Sequence, residues 1–127
     1  MKINCDVAFD DLTKSVGIGL IGRSFTGSAD GARCCRTKAL DPEQAEAKAL
    51  LEAALMARQK GYRYVHIEGD CLNVISALND RSKAITWTTR NLITDYGNVL
   101  NSFDSWKCTH VLRDVNHVAH KLAKHGK

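Results

Sequence analysis

Three acidic residues stand where this sequence could do chemistry: Asp6 in KINCDVAF, Glu46 in PEQAEAKAL and Asp70 in HIEGDCLNV. Asp6 falls in an alternating stretch. Ile3, Cys5, Val7 and Phe9 point one way, and Lys2, Asn4, Asp6 and Ala8 the other. Strand interiors disfavour aspartate, so taken alone Asp6 reads as the wet face of an edge strand. Glu46 lies in helical register with Leu50, Ala53 and Ala57, extending an apolar stripe instead of joining Lys48 and Glu52 on the polar face. Taken alone, it is a first-turn acid favouring the helix dipole. Asp70 follows the strand from Tyr64 to Glu68 and opens a helix, which it would cap by accepting an amide hydrogen near Asn73. If the first strand lies beside that one, Asp6 and Asp70 become neighbours at a strand end, and a helix packed across them lowers Glu46 onto both. Carboxylates so placed repel one another unless a cation sits among them.

The elements that must position these acids follow from pattern and punctuation. After the first strand, residues 2 to 9, the Asp10-Asp11 pair turns the chain into a second strand from Val16 to Ile21. Its Gly17 and Gly19 permit close approach from something on that face. The segment SFTGSADGA turns the chain again, and Arg33 to Leu40 makes a third strand. At Asp41-Pro42-Glu43-Gln44 the pattern changes. Asp41 can cap, Pro42 suits the first helical position and Gln44 gives a capping-box-like arrangement. A helix runs to about Lys60, stopped by Gly61. YRYVHIE is a strand and CLNVISALND a short helix. Thr89 to Phe103 is a helix through Leu92, Tyr96, Val99 and Phe103; SWKCTHVL is the last strand, and Asn116 can cap a closing helix through Val118, Leu122 and Ala123. The order βββαβααβα predicts an α/β (α+β) domain, a mixed sheet with helices on its faces.

Bulk properties narrow the setting. The 127 residues suit one domain with a full core, and no apolar run approaches the roughly 20 residues of a membrane span. The stretch MKINCDVAF has no long h-region, so nothing in it suggests export, and the abrupt start on a strand suggests excision from a longer protein. Five cysteines without CxxC or zinc-ligand spacing predict reduced thiols and an intracellular location, cytoplasm or nucleus. A net charge of +4 tolerates a polyanion without diagnosing one.

Taken together, an aspartate on the first strand, a glutamate in the first helix after a three-strand meander, and Asp-x-x-x-Val-Ile at the end of strand four resemble ribonuclease H type 1. KINCDVAF, AEAKALLEAALMARQKGYRYVHIEGDCLNVISAL and VLRDVNHVAHKLAKHG are similar to blocks of the plant ribonuclease H-like domain associated with reverse-transcriptase-related proteins, across essentially the whole chain. The resemblance implies the ribonuclease H-like fold, a five-stranded mixed sheet with helices on both faces. It also implies an endonuclease that hydrolyses the RNA strand of RNA/DNA hybrids with two divalent cations, Mg²⁺ or Mn²⁺. Asp6, Glu46 and Asp70 become metal ligands, Asp6 bridging both ions. Recognition would rest on phosphates and 2′-hydroxyls.

The resemblance also exposes departures. The family's fourth carboxylate, on the last helix, aligns with His120. Imidazole suits Mn²⁺ better than Mg²⁺, and losing a carboxylate weakens cation binding. His120 is thus the fourth catalytic and metal-site position, or a half-exposed helical residue near His117 and Lys124. Asp114 precedes that helix and matches no family ligand. Val7 replaces a common glycine, Leu72 replaces a polar residue, and Arg113-Asp114-Val115 shortens a His-rich loop. Candidate nucleic-acid contacts are Asn4, Arg81, Lys83 and Trp87, although a lone tryptophan is more often core. Cys5 and Cys71 are expected behind the site as small hydrophobes. Two further readings stand beside the endonuclease: a ribonuclease H-fold nucleic-acid-binding or protein-interaction module with weak or no catalysis, supported by His120, and a single-strand exonuclease of the same superfamily.

Overall fold

The computed structural model describes residues 1–70, 72–79, 87–112 and 123. The described chain forms β1 (Lys2–Phe9), β2 (Ser15–Arg23), β3 (Ala29–Lys38), α1 (Pro42–Gln59), β4 (Tyr64–Gly69), α2 (Leu72–Asn79), α3 (Trp87–Leu100) and β5 (Ser105–His110). The five strands make one mixed sheet in the order β3-β2-β1-β4-β5. The meander pairs antiparallel, while β1 with β4 and β4 with β5 run parallel. The closing helix expected from Asn116 lies outside the described residues, so only the α1, α2 and α3 side of the expected two-faced arrangement is described.

Strand alternation splits the sheet into two chemically different faces. Ile3, Cys5, Val7, Val16, Ile18, Leu20, Ile67 and Cys108 are buried with Leu50, Ala53, Met56 and Ala57 of α1 and with Ile93, Tyr96 and Leu100 of α3. The register stacks Lys2, His66 and Lys107 in one row of the opposite face, and Asn4, Glu68 and Thr109 in the next. Asp6 therefore sits on the central strand with no solvent exposure, not on a wet edge strand. A period of two shows which face a residue joins but not the position of its strand in the sheet.

Local signals set the ends of α1. Asp41 Oδ1 accepts the amide of Gln44 at 2.7 Å, and Gln44 Oε1 accepts the amide of Leu40 at 2.8 Å. This is a reciprocal cap that reaches back one residue before the N-cap. Gly61, at φ 80°, leaves the helix in the left-handed region. Other boundaries shift from the sequence expectation. The third strand begins at Ala29 because an irregularity between Ile21 and Arg23 lets pairing continue past Gly31, at φ 101°. It ends at Lys38, leaving Leu40 exposed. In α3 Thr89, Tyr96 and Leu100 are fully buried, and Phe103 enters the core from the turn after the helix.

Candidate active site

The site is made by a fork in the sheet. Paired residues between β1 and β4 are Lys2/His66, Ile3/Ile67 and Asn4/Glu68. Beyond them β1 continues with β2 as far as Phe9/Val16, while β4 continues with β5 as far as Gly69/His110. Asp6 and Asp70 each lie two residues past the last pair, on the two arms of that fork. Strand ends that diverge in this way are where open α/β sheets place their ligands.

Glu46 comes to the fork from α1. The helix packs over β1 and β4, and a side chain at Gly69 would meet Cys5 Sγ and Leu50 Cδ2, one helical turn from Glu46. Ligand oxygens of Asp6, Glu46 and Asp70 all lie within 4.8 Å of one another. Asp6 and Glu46 are buried, Asp70 is half-buried, and Asp70 Oδ2 is shielded from solvent. Asp6 Oδ1 accepts the amide of Val7 at 2.8 Å, fixing one carboxylate oxygen. α2 begins at Leu72, so the position directly before the helix is residue 71, and Asp70 stands one residue further out than the cap expected of it. The donors are hard oxygens from three acids, partly withdrawn from water. That set fits Mg²⁺ or Mn²⁺ and not a thiolate-preferring metal.

Cys5 lies behind the acids with no solvent exposure, as expected. Burial pushes its thiol well above the usual range, and the charges of Glu46, Cys108, Asp6 and Asp70 add to the effect. The thiol therefore stays protonated and acts as packing. Cys71 lies outside the described residues, as do His120, Asp114, Arg81 and Lys83. Trp87 is 77% exposed at the start of α3, so the core reading of this tryptophan is corrected. Asn4 turns its amide into the sheet and donates from Nδ2 to Glu68 Oε2 at 2.8 Å.

Sequence reasoning passed over Glu68. It is 7% exposed, holds Lys2 Nζ at 3.1 Å, and has His66 Nε2 at 3.7 Å. His66 Nε2 in turn lies 2.7 Å from Thr109 Oγ1. Burial lowers the His66 pKa, Glu68 opposes that shift, and Lys107 and Lys2 add to it. The signal in the sequence was a glutamate two residues before Asp70, hence on the same strand face.

Comparison with solved structures places this geometry. The chain superposes on ribonuclease H1 from the halophilic archaeon Halobacterium salinarum NRC-1 with a TM-score of 0.91 and 24% identity, covering 98% of this chain and 95% of that one. The N-terminal ribonuclease H domain of Rv2228c from Mycobacterium tuberculosis gives 0.87 at 16% identity, covering 98% and 92%. LC11 ribonuclease H1, isolated from compost and solved in complex with an RNA/DNA hybrid, gives 0.85 at 15% identity, covering 98% and 94%. No curated protein matches the chain in sequence. The profile of the family described as "Reverse transcriptase-like" matches residues 4–126. With that match over nearly its whole length, the chain belongs to the reverse transcriptase-like family, and it has the ribonuclease H fold.

Proposed function

We propose that this domain is an endonuclease of ribonuclease H type, hydrolysing the RNA strand of RNA/DNA hybrids with two divalent cations, Mn²⁺ or Mg²⁺. The observation that carries the reading is the convergence of Asp6, Glu46 and Asp70, from three separate elements, to within 4.8 Å at the β1/β4 fork. The hybrid held by the similar LC11 enzyme supports the substrate class. Asp6, Glu46 and Asp70 would hold the cations, with His120 as the fourth position. When bound, the cations supply charge neutralisation at the scissile phosphate and acidify the attacking water. The chain's own part is geometric. Asp6 has one oxygen fixed by the Val7 amide, which orients the carboxylate at the fork. Asp70 stands past the end of β4 and Glu46 reaches the fork from α1, and the apolar wall of Cys5 and Leu50 limits water behind them. Contacts at Trp87, Arg81 and Lys83 would hold the sugar-phosphate backbone.

The test is cleavage of a labelled RNA/DNA hybrid in Mg²⁺ and in Mn²⁺, with single-stranded and duplex RNA alongside and Asp70→Asn as the contamination control. Hybrid-specific cleavage that disappears in the variant establishes the enzyme. A folded sample that binds hybrid and cleaves with neither ion is a binding module, the reading that His120 favours. The intracellular location and the kinship with plant reverse-transcriptase-related proteins belong to the same proposal.

A further inference from the structure

Glu68 is a buried carboxylate that stands outside the acid cluster and yet touches its foundations. A buried charge is tolerated only when it is paired and hydrogen-bonded. Glu68 has both, with Asn4 Nδ2 on Oε2 at 2.8 Å and Lys2 Nζ on Oε1 at 3.1 Å. Asn4 and Glu68 are also the last registered pair between β1 and β4. The side-chain bond therefore closes the fork at its base, on the face shared with Asp6. The His66 and Thr109 contact extends the tie to β5. An apolar pair at this row could stabilise the sheet as well, since buried polar groups are weak contributors to net stability. What a directional hydrogen bond adds is a fixed separation between the two strands.

We propose that Glu68 is a positioning residue: its hydrogen bond to Asn4 fixes the width of the β1/β4 fork, and with it the Asp6 to Asp70 separation that a divalent cation requires. The inference rests on the reading of the acids as cation ligands. Lys2 balances the Glu68 charge, so the carboxylate acts through geometry and adds little to the negative field at the cluster.

The experiment is calorimetric titration of Mn²⁺, with thermal unfolding in its presence and absence, on the unmodified chain and on Glu68→Ala, Glu68→Gln, Asn4→Ala and the double alanine variant. Glu68→Ala and Asn4→Ala are each expected to weaken Mn²⁺ binding about tenfold, the scale of losing a group that orients a ligand. The double variant loses no more than either single one, because both remove the same bond. Glu68→Gln keeps an acceptor for Asn4 and retains affinity. A lowered melting temperature with unchanged Mn²⁺ affinity in Glu68→Ala overturns the inference, leaving a purely structural residue. If Glu68→Ala does not fold, Glu68→Gln and Asn4→Ala decide, and equal affinities in those two overturn it. An unmodified chain that shows no Mn²⁺ binding overturns the cation reading itself, and this inference with it.

Discussion

Asp6 and Gly19 stand opposite each other across β1 and β2, so the position beside the most buried acid of the cluster carries no side chain. Directly opposed antiparallel residues share a face, with Cβ atoms about 4.5–5.5 Å apart. A β-branched residue at position 19 would project beside the carboxylate. Gly19→Val is expected to cost about 1–3 kcal/mol through overpacking and to reduce stabilisation by Mn²⁺. Paired thermal melts with and without the ion measure both effects.

Removing one acid should separate stability from function. Ligand oxygens within 4.8 Å repel while no cation is bound. Asp70→Asn is therefore expected to raise metal-free stability by about 1 kcal/mol, a rise of roughly 4 °C in Tm. The same change should abolish the increment from Mn²⁺ and lower hybrid cleavage by about a hundredfold or more, given the several kcal/mol a metal ion supplies to phosphoryl transfer. A metal-free Tm that falls would show that crowding is not the dominant effect.

In the proposed two-cation reading, His120 would set the choice of ion. Replacing it by aspartate restores an oxygen donor and a negative charge, so His120→Asp should raise Mg²⁺-dependent cleavage by about tenfold relative to Mn²⁺-dependent cleavage. Initial rates in the two ions, compared between variant and unmodified chain, give the ratio. An unchanged ratio would remove His120 from the site.

Trp87 presents its ring to solvent at the start of α3, with 77% of its surface exposed. Trp87→Ala should leave the melting temperature within about 2 °C, since surface changes rarely exceed about 0.5 kcal/mol. Loss of its contact with the sugar-phosphate backbone, about 1 kcal/mol, should weaken hybrid binding about fivefold. Quenching of its fluorescence by bound hybrid checks the contact directly.

Alkaline pH should loosen the core beneath the helices. Burial pushes the Cys108 thiol from 9.0 up to about 11, against the Tyr96 hydroxyl, which donates a 3.1 Å hydrogen bond to Sγ and favours the thiolate. Because the folded pKa is the higher one, the fold favours the protonated thiol. That stability is complete below pH 9 and is lost as pH rises through about 11. The loss amounts to roughly 3 kcal/mol, the two-unit shift converted at 1.36 kcal/mol per unit. Melting curves from pH 8 to 11 should fall less steeply for Cys108→Ala than for the unmodified chain.

Much of this arrangement was legible beforehand. The alternation of residues 2 to 9 and the Asp41, Pro42 and Gln44 cap describe local geometry, and local geometry is what pattern encodes. The Glu46, Leu50, Ala53 and Ala57 stripe is buried as its spacing implied. The extension of β3 back to Ala29 was not legible, because it depends on pairing with β2 across an irregularity that no property of β3 itself announces. Trp87 was misjudged for the same reason: its exposure depends on which face of the domain receives the start of α3.

The sequence by itself determined the period of each element, the ends of α1 and the identity of the three acids, since propensity, capping and face alternation act over a few residues. Only the tertiary structure decided that β1 is central, that β1 and β4 part after Asn4 and Glu68, and that Glu68 ties them there. Those facts depend on which strands pair and where pairing stops. Residues 64 apart in the chain meet in the Asn4 to Glu68 bond, and a hydrogen bond between them exists only once the sheet has brought them into register.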